Sequence, residues 1–250
     1  MNYYIVSGTT KGLGKAIKNT LLKDSENYVF TLNRSKETTN SPLHLNIPCD
    51  ISDNKQIEAA FQQINDKIDS TKAQKLVLIN NAAVTDPIKF IHKADTKQIE
   101  SCFAINVLGL IQTCKQFINS FLEEEFEKVI VNISSGASYK PMAGLSIYTA
   151  TKAAVEIFTK SVALEQDIQT SPTTVFAFQP GMVETPMQKY VRNKKKEDLP
   201  IVDIFKDSYK NKENYSPEFV ASMLLRLINE GGKSGSVYKA REVAEDFNMN

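Results

Sequence analysis

Ser7-Gly8-Thr9-Thr10-Lys11-Gly12-Leu13-Gly14 decides the fold. The glycines are spaced G-x-x-x-G-x-G. The β-prone run Tyr3 to Ser7 precedes them, and Leu13, Ile17 and Leu21 follow at helical spacing. In a strand–turn–helix of this kind one glycine permits the tight reversal. Another lets the backbone approach a pyrophosphate, and a third lets helix and strand pack closely. Free N–H groups at the helix start then face the anion. Gly8, Thr10, Lys11, Gly12, Leu13 and Gly14 are therefore candidate dinucleotide contacts. The plainer reading, a flexible turn without a ligand, is weakened by the strand before and the helix after.

Outward from that turn, strand and helix signals alternate. Tyr28–Leu32, Leu43–Ile47, Leu76–Ile79, Val129–Ile133, Val175–Phe178 and Ser236–Lys239 read as strands. Ile57, Phe61, Ile64 and Ile68 mark a helix face, capped by Ser52 or Asp53. One long helix is expected between Thr96 and Leu122, another through Val155–Leu164, and another over Pro217–Ile228. The stretch from Pro180 to Ser216 reads as polar, charged and irregular. Alternation of this kind implies βαβ units. The expected fold is a single α/β domain over residues 1–250, a three-layer doubly wound parallel sheet of Rossmann type.

Composition narrows the function. The chain has 250 residues, long enough to bury a large core without a disulfide or a metal. A net charge of +1 gives no global pull toward nucleic acid or anionic lipid, so neither partner is expected. Cys49, Cys102 and Cys114 form no CxxC, and His44 and His92 do not stand at metal-ligand spacing. No metal site is expected, and the thiols read as buried and neutral. The opening residues lack the pattern of a signal peptide, and the longest aliphatic run, Leu76–Ile79, is far too short for a bilayer. Cytoplasmic residence is the default expectation.

A second cofactor signal lies at the end of the next strand, where an acid would grip the adenosine ribose of NAD. Asn33-Arg34 stands there instead, and both are candidate cofactor contacts. The forked, permanently charged side chain of Arg34 suits a 2′-phosphate, and Lys11 can approach the same group. Either cation alone reads as a surface charge; together they favour NADPH/NADP+.

Several further motifs occur in order: Cys49-Asp50-Ile51, Asn80-Asn81-Ala82-Ala83, Ile105-Asn106-Val107, Asn132-Ile133-Ser134-Ser135, Tyr148-Thr149-Ala150-Thr151-Lys152, and Pro180-Gly181-Met182-Val183-Glu184-Thr185. With the glycine turn, this series resembles the short-chain dehydrogenase/reductase family over nearly the whole chain. Two departures are mild: Ser7 replaces the usual threonine and Ala83 the usual glycine. Short stretches (Asn132 to Ala137, Lys140-Pro141 and Pro180 to Gln188) are most similar to those of bacterial benzil reductases and sepiapterin reductases within that family.

The resemblance implies a catalytic set of Asn106, Ser135, Tyr148 and Lys152. It implies cofactor contacts from Asp50, Ile51, Asn81, Ala82, Ala83, Pro180, Gly181, Val183 and Thr185, with Asn106, Tyr148 and Lys152 shared between the two sets. Lys152 would also hold the nicotinamide ribose, and Asn106 would position a water. Each residue alone has a plainer reading: Tyr148 and Lys152 as an exposed helix pair, Ser135 as a cap, Asn106 as a core amide. The thirteen residues from Ser135 to Tyr148, a spacing shared with the family, weigh against those readings together. Four residues apart on a helix, Tyr148 and Lys152 share a face. The Lys152 ammonium is expected to lower the phenol's pKa and make it a usable acid near neutrality. Ser135 would donate a hydrogen bond to the reacting oxygen.

The substrate is expected to be a small hydrophobic carbonyl, an aromatic ketone or α-diketone. Val84, Tyr139, Met142, Met187 and Tyr190 are the expected pocket, with Met182 and Phe205 on the same loops, and residues 182–215 are the expected lid. The basic run Arg192–Lys196 reads as solvated surface, with anion recruitment as the alternative. By analogy the helices at 96–122 and from Tyr148 onward would pair in a homodimer or homotetramer. Other functions left open are a 3-oxoacyl carrier-protein reductase, a pterin reductase, a sugar alcohol dehydrogenase, oxidation with NAD, and a non-enzymatic NADPH sensor.

Overall fold

In the computed structural model, which describes residues 1–37 and 41–248, seven strands form one parallel sheet. In chain order the elements are β1 (Asn2–Ser7), α1 (Gly12–Leu21), β2 (Asn27–Asn33), β3 (His44–Pro48), α2 (Asn54–Asn65) and β4 (Lys75–Asn80). Then come α3 (Thr96–Phe103), α4 (Leu110–Ser120), β5 (Glu127–Ile133), α5 (Ser146–Gln166) and β6 (Thr174–Gln179). The chain closes with α6 (Pro186–Arg192), α7 (Val202–Lys210), α8 (Pro217–Asn229), β7 (Val237–Lys239) and α9 (Ala240–Asp246). The strand order is β3-β2-β1-β4-β5-β6-β7, so the winding reverses between β1 and β4. This is the doubly wound Rossmann-type α/β domain that the alternating pattern implies.

Strand periodicity divides the core between the two faces. Tyr4, Val6, Val77, Ile79, Val131 and Phe178 pack with α1, α8 and α9. Their neighbours Tyr3, Ile5, Leu76, Leu78 and Ile130 pack with α2, α4 and α5. Strands covered on both sides read as continuous apolar runs, which is why β1 and β4 stand out in the sequence. A buried polar chain crosses the sheet at the ends of β4 and β5. Thr113 donates to Asn80 (2.7 Å), Asn80 to Asn132 (3.0 Å) and Asn132 to Thr159 (2.9 Å). Buried amides are tolerable only when paired in this way. The chain ties both strand ends to α4 and α5, directly beneath Asn81 and Ser134.

Two expectations need correction. The helix expected between Thr96 and Leu122 is not uniform: Ala104–Gly109 form a π-helical segment between α3 and α4. Such an insertion widens the turn locally, and Asn106 sits within it. The stretch 180–216 is also not irregular, because it contains α6 and α7. Helices of seven and nine residues show apolar spacing only briefly, at Met187 and Val191 and at Val202 and Phe205, inside an otherwise charged stretch. The legible signal is Thr185-Pro186: Thr185 caps α6 by accepting from the Gln188 N–H (3.2 Å), with proline in the first turn. The last helix, α9, is absent from the sequence reading altogether.

Candidate active site

The glycine turn is held from beneath by side chains of its neighbours. Ser7 Oγ accepts from the backbone N–H groups of Asn81 (3.0 Å) and Ala82 (3.1 Å). A hydroxyl is all this contact needs, so serine serves. Asn81 Nδ2 donates back to the carbonyls of Ser7 (3.0 Å) and Gly8 (2.9 Å). Gly8 has φ +71°, and a Cβ there would lie 2.9 Å from the Ala82 Cα. A Cβ on Gly14 would meet the Gly8 carbonyl oxygen at 2.2 Å, so only glycine lets α1 sit this close.

Asn33 is buried and fully used. Its Oδ1 accepts from the Thr9 N–H (2.8 Å), and its Nδ2 donates to Thr9 Oγ1 (2.8 Å) and Asn46 Oδ1 (3.0 Å). It pegs the end of β2 to the glycine turn. Arg34 and Lys11 are exposed at the cleft's rim. Asp50 accepts from the N–H (3.0 Å) and hydroxyl (2.7 Å) of Ser52, which shapes the turn beside Ile51.

A cleft of about 650 Å³ runs from this turn along the carboxyl ends of the strands. Gly8, Thr10, Lys11, Gly12, Leu13, Asn33, Arg34, Asp50 and Ile51 line one end. Asn81, Ala82, Ala83, Pro180, Gly181, Val183 and Thr185 line the middle. Ser135, Tyr148 and Lys152 form a wall of the same cleft. Gly14 and Asn106 are not among the lining residues; Gly14 lies beneath the turn, and Asn106 is 1% exposed.

Ser135 ends the extended run after β5. Its Oγ accepts from the Ala137 N–H (3.2 Å) and is hydrogen-bonded to the Tyr148 phenol. It is thus both a cap and a partner of the tyrosine. Lys152, one helical turn after Tyr148, is buried and donates from Nζ to the Ile133 carbonyl (2.7 Å), 5.9 Å from the Tyr148 ring centre. Asn106 holds Val84 in both directions, accepting from its N–H (2.9 Å) and donating to its carbonyl (2.8 Å), and it also reaches Thr151 Oγ1 (3.2 Å). The π-helical segment is thereby pinned to the cleft loop after β4.

The electrostatics differ from the expectation that Lys152 makes the phenol more acidic. Burial pushes the Tyr148 pKa up to about 12, and the Ser135 hydrogen bond opposes the rise only in part. The ammonium is turned to the Ile133 carbonyl rather than to the phenol oxygen. Burial also pulls Lys152 down to about 8, opposed by the fields of Cys102 and Glu156. Desolvation disfavours the charged form of both groups, which is why they move in opposite directions. The three thiols are free and buried, and burial raises Cys49 and Cys102 to about 11 and Cys114 to about 12. They stay neutral and unreactive.

At the far end the lining is apolar: Val84, Ile105, Met142, Leu145, Met182, Met187, Val191 and Phe205. Tyr139 and Tyr190 are not part of it. Tyr139 is 54% exposed and carries Lys140 against its ring. Tyr190 is 43% exposed and donates to Asp86 (3.0 Å), a bond between the α6 segment and the loop after β4. Ile105, Leu145 and Val191 escaped the sequence reading. Val191 stood four residues beyond Met187, a helical spacing that pointed to a shared face. Leu145 and Val191 join Ile88, Leu199 and Val202 in a small third core against which Tyr148 packs.

Three cations of the basic run are bound in pairs. Arg192 donates twice to the Glu184 carboxylate (2.7 Å each) and stacks on Tyr209 at 3.9 Å. Lys194 donates to Tyr190 Oη (2.6 Å), and Lys196 to Asp203 (2.7 Å). Fork-to-fork pairing of this kind fixes orientation as well as charge. It fastens α6 to its surroundings and leaves little of the run for recruiting an anion. Among the described residues no His, Cys, Asp or Glu group of three could hold a metal ion, and no helix is long and apolar enough to cross a membrane.

The family model for short chain dehydrogenases matches residues 2–196. The chain belongs to that family. A Bacillus subtilis relative described as a benzil reductase, (S)-benzoin forming, is 30% identical over 242 residues, covering 97% of this chain and 99% of the relative. A Bacillus cereus relative of the same description is 35% identical over 234 residues, covering 91% and 94%. A solved short chain dehydrogenase/reductase from Saccharomyces cerevisiae superposes with a TM-score of 0.85 at 19% identity, covering 98% of this chain and 99% of that one. The match between this short-chain dehydrogenase and these proteins spans almost the entire length of each chain.

Proposed function

We propose that the protein is an NADPH-dependent reductase of small hydrophobic carbonyls, of the aromatic ketone or α-diketone class. One observation carries the reading: Ser135, Tyr148 and Lys152 converge on one wall of a cleft that begins at a glycine turn and ends among apolar side chains. The donor set fits a dinucleotide, because the turn brings backbone N–H groups and a bare glycine surface to the start of α1. A bound reduced nicotinamide supplies the hydride. The protein's own part is to hold the carbonyl and deliver the proton. Tyr148, kept protonated by its burial, donates to the carbonyl oxygen. Ser135 donates a second hydrogen bond to that oxygen as negative charge develops on it. Lys152 places a positive charge beneath both, and Asn106 sets the shape of the loop at Val84. The methionines, Val191 and Phe205 exclude water and accept an aromatic or aliphatic group without fixing its shape.

NADPH rather than NADH is favoured by what stands at the end of β2. The carboxamide of Asn33 is used up inside the fold, no acid takes the ribose position, and Arg34, Lys11 and Ser35 edge the cleft there. Arg34→Ala is expected to weaken NADPH binding about tenfold or more, in line with about 1.5–3 kcal/mol for a hydrogen bond to a charged group, and to leave NADH binding nearly unchanged. Fluorescence titration with both dinucleotides checks this.

The segment 182–215 is proposed as the lid, since Met187 and Val191 of α6 and Phe205 of α7 line the apolar end and Tyr190 ties α6 to Asp86 on the loop after β4. Assembly as a homodimer or homotetramer is supported by Leu108, Ile157 and Leu164, which are apolar and 58–70% exposed on the π-helical segment and α5.

The deciding experiment is NADPH consumption with benzil, other α-diketones, aryl ketones, pterins and 3-oxoacyl thioesters. Turnover of the diketones and aryl ketones is the expected result. A preference for thioesters or pterins would move the protein to another reductase class. NADPH binding with no turnover of any carbonyl would make it a sensor.

A further inference from the structure

Glu156 lies on α5 one turn beyond Lys152, on the same face of the helix. It is absent from the cleft lining, yet a single oxygen of its carboxylate gathers three donors. Oε1 accepts from Ser134 Oγ (2.7 Å), Ser138 Oγ (2.7 Å) and Gln179 Nε2 (2.7 Å). Gln179 Nε2 also reaches Ser138 Oγ (3.2 Å), which closes the cluster. Ser134 and Gln179 are buried, 2% and 4% exposed.

These donors come from functional stretches of the chain. Ser134 and Ser138 flank the segment that begins with Ser135, and Gln179 is the last residue of β6, immediately before Pro180-Gly181. Lys239, which is the register partner of Gln179 on β7, has its charge within the field of Glu156. Adjacent parallel strands and one helix thus meet on one carboxylate oxygen. Hydrogen bonds to an ionised acceptor are about twice as strong as neutral ones, and unpaired buried donors are costly.

We infer that Glu156 is a positioning residue for the reduction. It keeps the Ser135 segment and the Pro180-Gly181 turn in register with the helix that carries Tyr148 and Lys152. This rests on the reductase reading above, because it gives Ser135 work to do at the carbonyl oxygen. Glu156 touches neither the cleft nor any reacting atom, so it acts through the Ser135 segment and the Pro180-Gly181 turn, with its field on Lys152 beside them.

The test is steady-state kinetics with NADPH and the best carbonyl of the panel. A misplacement of about 1 Å can cost about a hundredfold. Glu156→Ala is therefore expected to lower kcat by roughly ten- to a hundredfold, with the KM for the carbonyl changed far less. Glu156→Gln keeps an acceptor oxygen and is expected to restore most of kcat. In a Ser135→Ala background, Glu156→Ala is expected to cost clearly less than it does alone, because one of the segments it aims has already lost its working hydroxyl. If Glu156→Ala does not fold, the Ser134→Ala/Ser138→Ala pair removes two donors without stranding them and is expected to show the same fall in kcat. The inference fails if the alanine variants keep the parent kcat. It also fails if the glutamine variant loses as much as the alanine one, or if the loss is undiminished without Ser135. A parent that turns over no carbonyl removes the reductase reading and this inference together; an active parent with any of those three results removes the inference alone.

Discussion

Tyr148→Phe is expected to lower kcat for carbonyl reduction by roughly a hundredfold to ten-thousandfold, the usual range for a general acid, while NADPH binds nearly as before. The phenol ring packs against the small core of Ile88, Leu145, Val191, Leu199 and Val202, and phenylalanine keeps that packing. Only the hydroxyl and its bond with Ser135 are lost. The pH profile carries a second check. With its pKa raised to about 12 by burial, the phenol remains a proton donor throughout the accessible range. Reduction should therefore not fade with titration of the tyrosine. The fall of kcat/KM should begin near pH 8, where buried Lys152 loses its charge. The reverse reaction needs the phenolate and should climb with pH. Parallel stopped-flow or steady-state measurements of Tyr148→Phe and the parent, from pH 6 to alkaline pH, decide both points. A phenylalanine variant that reduces diketones at the parent rate would remove Tyr148 from the chemistry.

Lys152→Met is expected to abolish reduction and at the same time to raise thermal stability near neutral pH. Lys152 is 3% exposed, and among the described residues its ammonium donates only to the Ile133 carbonyl. Its pKa falls from the ordinary 10.5 to about 8 in the folded chain. Between those values the unfolded chain holds more protons than the folded one, so stability rises with pH across that window. Below pH 8 both states carry the charge, and the folded state bears its full burial cost. Methionine matches much of the volume without the charge. The variant's advantage should therefore be largest below pH 8 and shrink toward pH 10.5. At this chain length each 1 kcal/mol is worth about 2–4 °C in Tm. Thermal melts of parent and variant without dinucleotide, at pH 7 and near pH 10, measure the difference. A variant less stable than the parent at pH 7 would mean that the ammonium stabilises the fold, contrary to its burial. The pairing of lost activity with gained stability is what a charge held for function produces.

Much of the architecture was legible in the chain because it depends on short-range rules. Residues 3–6 of β1 and 76–79 of β4 are buried from both faces, so those runs are apolar without interruption. The glycine turn needs residues that tolerate positive φ or a bare Cα, and few residue types do. Tyr148 and Lys152 are four apart in a helix, and that spacing alone puts them on one side of it. The capping of α2 by Asp53, which accepts from Lys55 and Gln56, was equally local. These features are set by neighbours within a few positions, and neighbours are what a sequence displays.

What tertiary structure alone decided involves residues far apart. Asn33 reads as a candidate cofactor contact, but its carboxamide is spent on Thr9 and Asn46, since its environment comes from the glycine turn and β3. The basic run at 192–196 looked solvated, yet Arg192 and Lys194 find partners at Glu184, Tyr190 and Asp86 through the fold of α6. Tyr139 and Tyr190 were plausible pocket residues by loop and type, but side-chain direction is set by the backbone around them, and both face outward. The pKa values of Tyr148 and Lys152 show the difference most plainly. Sequence spacing puts the two side chains together, whereas the cost of ionising either one depends on how much water remains, and that is fixed only when sheet, helix and the segment carrying Val191, Leu199 and Val202 pack around them.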